Sequence, residues 1–437
     1  MGSMLEKIMQ YKKVNYLIDD LLKTNLVKQL SWYTLAQFFV QSISFVSVII
    51  ISRYLGPTNL GLYSFVQNYV GAFLTIISGM DYYFTWKLSK SNNQFADLKT
   101  YIGHKTNIYV LLSIVGISLA WFILPKDVAI LVSLMMTTIF LQSLNTFFIY
   151  AVIIKRAKLV AIVQISVALT MLFYKLILFF IKAPLFMFVI GAGVDLFLAG
   201  VIFSVYFFKS IPECRRAFFP FRTPKILSTL SFLFSIKLSI AALVFFQLLL
   251  RVDQLILATL SNAYTLGIYS AAVKISDIPN FLVGIISMAL TSRISQISVK
   301  YDNESRKNLK YVMIYYIAVG IFISACIVVF APLAVHVLYG TKFIDSVSVL
   351  RVYALSIPAI FLVSFFMSIY GARDKYKQQV IIFGSSLALN VFLIYVLTPF
   401  YGILGTAFAT VVAYYFAAIC LYAGAEKSSA KALKEDV

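Results

Sequence analysis

The chain is poor in charged residues and in the residue types that most enzymes use for chemistry. Only 12% of its 437 residues are charged, against roughly 25% in soluble domains, so water is not its main solvent. Its three cysteines lie far apart in sequence, which indicates neither a disulfide framework nor a metal site. No Gly-Lys dipeptide occurs, so there is no P-loop for a nucleoside triphosphate. These absences leave no candidate catalytic residue and no expected cofactor or metal.

Long apolar runs take up most of the chain. Hydrophobic residues make up 61% of it, and a bilayer core is crossed by about 20 apolar residues in a helix, because unpaired backbone groups are too costly in lipid. The sequence therefore predicts an all-α, polytopic membrane protein with twelve transmembrane helices. The approximate spans are 31–52, 61–82, 106–124, 128–153, 159–181, 185–208, 228–258, 267–290, 311–331, 347–370, 378–398 and 403–424, of which the seventh is long enough to include a tilted or membrane-surface section.

The positive charge of the chain has a regular distribution. Of 37 Lys and Arg, 28 lie in the N-terminal arm, in the loops after even-numbered spans and in the tail, and four lie in the opposite loops. The positive-inside rule then places both termini in the cytoplasm. The net charge of +20 is therefore interpreted as a topology signal, and no nucleic acid partner is expected.

The chain carries an internal repeat. Leu60-Gly61-Leu62-Tyr63-Ser64 returns 206 residues later as Leu266-Gly267-Ile268-Tyr269-Ser270, each time between two apolar runs. Six spans on each side of a Pro-containing linker predict two parallel six-helix lobes, related by a pseudo-two-fold axis along the membrane normal. The predicted parts are an amphipathic cytoplasmic arm (1–30), an N-lobe (31–208), a cytoplasmic linker (209–227), a C-lobe (228–424) and a cytoplasmic tail (425–437).

Three stretches resemble one family of membrane proteins. Arg53-Tyr54-Leu55-Gly56-Pro57 with the first repeat copy, Leu250 to Leu257 with the second, and Gly402 to Thr410 are similar to motifs of the Wzx-type oligosaccharide flippases. These belong to the multidrug/oligosaccharidyl-lipid/polysaccharide exporter superfamily. The resemblance implies a multi-pass carrier in the cell inner (plasma) membrane that moves a polyprenyl-diphosphate-linked oligosaccharide for O-antigen or capsule assembly. It also implies membrane lipid, a polysaccharide polymerase and a chain-length protein as partners.

Charged side chains inside spans are costly and therefore mark candidate functional positions. Arg251 and Lys274 are the first candidates for binding an anionic diphosphate. Lys237 and Lys175 are weaker candidates, because both could extend to a membrane surface instead. Gln67 and Asn68, which the repeat aligns near Lys274, are candidates for sugar hydroxyls.

Three intramembrane carboxylates are candidates for ion coupling or charge pairing. Asp277 lies one turn from Lys274, so the two could neutralise each other. Asp253 is close in sequence to Arg251, but a spacing of two residues points the side chains differently. Asp195 has no charged residue within ten positions and is the better candidate proton carrier. Asp81, at the end of span 2, is expected to be solvated.

Two other functions stay open at the level of sequence. The same fold would suit a drug or cation antiporter, although a cationic interior disfavours cationic drugs. A membrane polymerase or glycosyltransferase of polysaccharide assembly would need a sizeable outer loop, and the predicted outer loops are short. We therefore expect a transporter rather than an enzyme.

Overall fold

The computed structural model describes residues 25–435 except 90–92, 219–222, 281, 285–293 and 295–302. The predicted N-terminal arm thus lies largely outside the described residues, as does the end of the eighth predicted span. The described part contains helices and no strands. The α-helices are α1 (Asn25–Ser89), α2 (Gln94–Ile123), α3 (Lys126–Ile139), α4 (Thr146–Ile153), α5 (Ala157–Phe180), α6 (Leu185–Ser210), α7 (Pro212–Phe218), α8 (Ile226–Ser235), α9 (Lys237–Leu249), α10 (Val252–Leu260), α11 (Ala263–Ser276), α12 (Asn303–Tyr339), α13 (Ser346–Ala354), α14 (Ile357–Ala372) and α15 (Tyr376–Glu435).

Helix length and composition confirm a multi-pass membrane protein. Among the described residues, six helices are long and apolar enough to cross a bilayer, and up to nine when each bent pair of helices counts as one span. One of these pairs, α8 and α9, is bent by 80°, which fits the tilted section expected in the seventh predicted span. The number of twelve spans stays a prediction, because 267–290 runs into residues outside the described part.

Two of the long helices are interrupted by a glycine. In α1, Gly56 has φ +67°, and Pro57 follows it without an N–H to donate. In α15, the chain turns back at Gly402, since the hydroxyls of Thr398 and Thr406 come within 2.9 Å of each other. At 1.5 Å per residue, a straight helix of the length of α1 would be far longer than a bilayer is thick. The first and second segments of α1, 25–55 and 57–89, are therefore separate elements.

The two copies of the repeated motif pack against each other. A Cβ on Gly61 would overlap the carbonyl oxygen of Ala263 and lie 2.9 Å from the nitrogen of Gly267, and a Cβ on Gly267 would overlap the carbonyl oxygen of Pro57. At the 206-residue offset, Gly61 corresponds to Gly267 and Pro57 to Ala263, so the contact is reciprocal, as a two-fold axis requires. Because glycine has no Cβ, these two positions allow the backbones of the two helices to approach closely.

The outer surface is apolar, the reverse of a soluble protein. Large side chains such as Phe122, Leu227 and Phe400 are exposed by 90%, 79% and 81%, which suits a lipid-facing surface. We call the end of the bundle that carries Gly56, Gly340 and Gly402 the Gly56 end. The opposite end, with α7 and the stretch 223–225, is called the linker end.

Candidate functional site

A cavity of about 290 Å³ lies between the predicted lobes. One wall is the second segment of α1, and the other is formed by α9, α10 and α11 with residues at their ends. Gly56-Pro57 starts the first wall. Asn262 caps α11 by accepting a hydrogen bond from the Thr265 N–H at 2.9 Å, which fixes the start of the second wall.

The α1 wall is a stripe of small and polar side chains. Ser64, Gln67, Asn68, Gly71, Leu74, Thr75 and Ser78 all line the cavity. Their spacing of three or four residues places them on one face of a helix whose other residues are apolar. Ser64 has a buried hydroxyl with no hydrogen-bond partner, and this leaves its oxygen available to a ligand.

A hydrogen-bond network crosses the cavity from one lobe to the other. The Arg251 Nη1 donates to Asn68 Oδ1 at 3.3 Å, and Asn68 Nδ2 donates to Gln254 Oε1 at 2.9 Å. Ser270 Oγ donates to the same Gln254 oxygen at 2.9 Å. Arg251 is itself exposed, whereas Asn68 and Gln254 are buried. The guanidinium therefore lies at the cavity surface, oriented by an amide of the other lobe.

Lys274 and Asp277 complete the charged part of the cavity. The Lys274 Nζ lies 5.2 Å from the centre of the Tyr63 ring, a cation–π contact between the lobes. Asp277 accepts a hydrogen bond from Asn280 Nδ2 at 3.0 Å. Lys274 and Asp277 are both described and form no ion pair within 4 Å, in contrast to Lys105 and Asp81. The cavity lining thus holds Arg251, Lys274 and Asp277, a net charge of +1.

The other predicted residues lie outside this lining. Asp253 is fully buried and accepts a hydrogen bond from the Tyr269 hydroxyl at 2.7 Å and from the Gln254 N–H at 2.8 Å. Lys237 is exposed at the break between α8 and α9, with its Nζ 3.7 Å from the centre of the Phe234 ring.

Asp195 has a charged neighbour, contrary to its isolation in sequence. Lys175 on α5 interacts electrostatically with Asp195 on α6, and the two helices pack side by side. Asp195 also accepts a hydrogen bond from the Leu196 N–H at 2.6 Å. The nineteen residues between Lys175 and Asp195 form the end of α5, a turn and the start of α6, and the packing of these two helices brings the two side chains within electrostatic range.

Asp81 is also paired, which corrects the expectation that it is solvated. Lys105 Nζ contacts Asp81 Oδ1 at 2.8 Å and Oδ2 at 2.9 Å, and the Tyr101 hydroxyl donates to Oδ1 at 2.8 Å. The Lys105 side chain is only 1% exposed. This cluster joins the end of α1 to α2.

The predicted lobes contact each other on both sides of the cavity. At the Gly56 end, besides the Gly61–Gly267 contact, Arg53 donates to the carbonyl oxygens of Val337 and Leu338. At the linker end, His104 Nδ1 lies 2.9 Å from Thr229 Oγ1, and Asn107 Nδ2 donates to the Pro224 carbonyl oxygen at 2.7 Å. Each end therefore has its own set of contacts between lobes.

The fold is shared with solved membrane transporters. The lipid II flippase MurJ, in an inward closed conformation, matches with a TM-score of 0.68 at 15% identity, over 90% of this chain and 87% of that one. A variant of the Vibrio cholerae MATE transporter VcmN matches with a TM-score of 0.63 at 15% identity, over 92% and 97%. The eukaryotic MATE transporter AtDTX14 matches with a TM-score of 0.62 at 14% identity, over 94% and 99%. The fold is therefore that of a helical membrane transporter.

Sequence comparison gives the family. The profile of the polysaccharide biosynthesis protein family matches residues 26–298, so the chain belongs to that family, and the resemblance to the Wzx-type flippases is confirmed. No curated protein sequence matched the chain.

Five polar residues of the described lining were predicted from the sequence, namely Gln67, Asn68, Arg251, Lys274 and Asp277. Five were not, namely Ser64, Thr75, Ser78, Gln247 and Gln254. A signal for the three on α1 was present, because the polar residues of 61–82 recur with helical period in a mostly apolar span, although the sequence prediction named only Gln67 and Asn68 among them. For Gln254, the signal is its place next to Asp253 in an apolar run.

Proposed function

We propose that this protein is a flippase that carries a polyprenyl-diphosphate-linked oligosaccharide repeat unit across the cell inner membrane, with both termini in the cytoplasm, for O-antigen or capsule assembly. The observation that carries the proposal is the cavity between the lobes, in which two cations from one lobe face an amide and hydroxyl wall from the other. Family membership supports the link to polysaccharide synthesis.

The two walls suit the two parts of such a substrate. A diphosphate diester carries two negative charges, and Arg251 offers a planar set of donors that matches phosphate oxygens. Sugar hydroxyls both donate and accept hydrogen bonds, as Gln67, Asn68 and Ser64 do. The cavity lining is positive overall, which disfavours a cationic drug.

The size of the cavity indicates that it must open during transport. About 290 Å³ lies at the lower limit of ordinary ligand pockets, about 300–1,000 Å³, and is too small for a whole repeat unit. The contacts at the Gly56 end and at the linker end are separate, so one set can break while the other holds. This arrangement supports alternating access, in which the cavity opens to one side at a time.

The proposal is tested by charge reversal. Arg251→Glu and Lys274→Glu should each abolish translocation, because a carboxylate in place of the cation repels the diphosphate. Purified protein is reconstituted into liposomes with a polyprenyl-diphosphate-linked oligosaccharide, and translocation is followed by the access of a glycosidase to the sugar. Export of surface polymer is measured in cells.

The matched control is Arg351→Glu. Arg351 is an exposed arginine of α13 that does not line the cavity, so the same change of charge should leave translocation intact. Full translocation by both Arg251→Glu and Lys274→Glu, at normal membrane levels, would reject the assignment of these residues. Efficient transport of a cationic dye by the wild-type protein would favour an antiporter.

Energy coupling is a separate part of the proposal. Asp195 is not a lining residue, but it interacts electrostatically with Lys175 and with Tyr63, the ring beside Lys274, so it is a candidate for ion coupling next to the cavity. Asp195→Asn should slow transport and remove its dependence on a proton gradient while substrate binding is kept. An unchanged rate with the same pH dependence would mean that this carboxylate does not couple transport to protons. Asp253 and Asp277 would then be next to test.

A further inference from the structure

A second cavity, of about 390 Å³, lies within the C-lobe at the linker end. It is formed by the start of α12, the end of α14 and the C-terminal part of α15. It shares no lining residue with the cavity between the lobes. The transport pathway described above does not account for it.

The part of this cavity at the linker end is basic. Lys307 and Lys310, near the start of α12, are exposed, and Arg373 directly follows the last residue of α14. Among the lining residues that the structure describes, Glu426 is the one acidic side chain, and the three basic side chains outnumber it.

The deeper part of the cavity is apolar. Phe365, Phe366 and Ile369 lie four to eight residues before Arg373 on α14, which is about 6–12 Å along a helix. The Phe366 ring lies 5.1 Å from that of Phe365 and 6.0 Å from that of Tyr422, so the rings form a continuous apolar wall. The charged residues of the cavity thus lie at the ends of the helices, and its apolar residues lie deeper, in the part within the membrane.

We propose that this cavity binds an anionic phospholipid, with the headgroup phosphate at Lys307, Lys310 and Arg373 and an acyl chain along Leu309, Met313 and Tyr422, which are the accessible apolar residues of the lining. Charge complementarity selects an anionic lipid over a zwitterionic one. The accessible apolar lining of Leu309, Met313 and Tyr422 selects a lipid over a free phosphate, which would leave that surface uncovered. Phe365, Phe366 and Ile369 are buried and support this surface from the core.

The test uses the purified full-length protein in detergent, titrated with phosphatidylglycerol or phosphatidylcholine, with bound lipid counted by native mass spectrometry. The wild type should prefer phosphatidylglycerol by about tenfold or more. The triple variant Lys307→Gln, Lys310→Gln and Arg373→Gln should lose that preference. The control variant Arg156→Gln, Lys158→Gln and Lys209→Gln removes the same charge from exposed residues at the linker end of the N-lobe and should keep it.

Two further arms identify the ligand and the place. Glycerol 3-phosphate should not displace the lipid, since it has no acyl chain, and displacement at equal concentration would overturn the proposal in favour of a phosphate site. A phosphatidylglycerol with a photoactivatable acyl chain should crosslink to α12, α14 or α15 near the cavity. Crosslinks confined to other helices, or equal loss of lipid in the triple variant and its control, would refute the lipid site.

Discussion

Gly267→Ala should force the two lobes apart at the Gly56 end. A Cβ at this position would overlap the Pro57 carbonyl oxygen and lie 2.6 Å from the Pro57 carbonyl carbon. Carbon atoms in contact prefer about 3.5–4.0 Å, so the start of α11 and the turn after Gly56 must separate by about 1 Å. Overpacking of this kind costs about 1–3 kcal/mol, which corresponds to a roughly 5- to 150-fold shift in population away from the state with this contact.

Accessibility of the cavity measures that shift. A cysteine at position 67, Gln67→Cys, lines the cavity and is labelled in intact cells with a membrane-impermeant maleimide. Gly267→Ala should raise the labelling rate at least about fivefold, because it weakens the contact at the Gly56 end, which faces outward in the proposed topology. In the control Gly384→Ala, the new Cβ would lie 3.5 Å from the Phe245 ring, an ordinary contact, and the rate should not change. Equal rates in both variants would refute the argument that the glycine contact closes this end.

Three other predictions concern stability, topology and reactivity. Asp81→Asn leaves the buried Lys105 ammonium without its partner. It should lower the free energy of unfolding by about 3–5 kcal/mol, measured as a lower midpoint of thermal unfolding in detergent. Lys105→Met in the same background should recover most of the lost stability. In a background without native cysteines, Lys342→Cys should be labelled in intact cells, and Asp374→Cys should be labelled only after permeabilisation. The opposite result would mean that the chain has the opposite orientation in the membrane. Burial raises the pKa of the Cys214 thiol to about 11, so little of the reactive thiolate is present at pH 8. The rate of maleimide labelling should therefore increase as the pH rises towards 11. Rapid labelling of the folded protein at pH 7 would contradict this.

Much of the architecture follows from the sequence because its causes are local. Local features of the sequence are enough to predict most of the architecture, namely the apolar runs, the glycine pairs and the distribution of lysine and arginine. The 206-residue repeat adds one long-range relation, between the two lobes. It did not predict which glycines meet, and the contact of Gly61 with Gly267 is seen only in the structure.

The site was only partly predictable, because its contacts depend on helix rotation and on neighbours distant in sequence. Arg251 and Asp253 do point differently, as their spacing required, but nothing in the sequence chose Asn68 as the partner of one and Tyr269 as the partner of the other. Likewise, Lys175 meets Asp195 only because α5 and α6 pack together. The polar stripe on α1 was readable from its period, and it shows that uncharged residues in a span carry as much information as charged ones.

The charge of the cavity has a consequence for the energetics of the transport cycle. Arg251, Lys274 and Asp277 give the empty cavity a charge of +1, and the proposed diphosphate would change it to −1. Moving one elementary charge across the full thickness of a membrane changes its free energy by about 2.3 kcal/mol per 100 mV of membrane potential. The cell interior is negative. The loaded cavity would then be driven outward and the empty cavity inward. The membrane potential alone would favour both halves of the cycle, and imposing an inside-positive potential on proteoliposomes should slow them both.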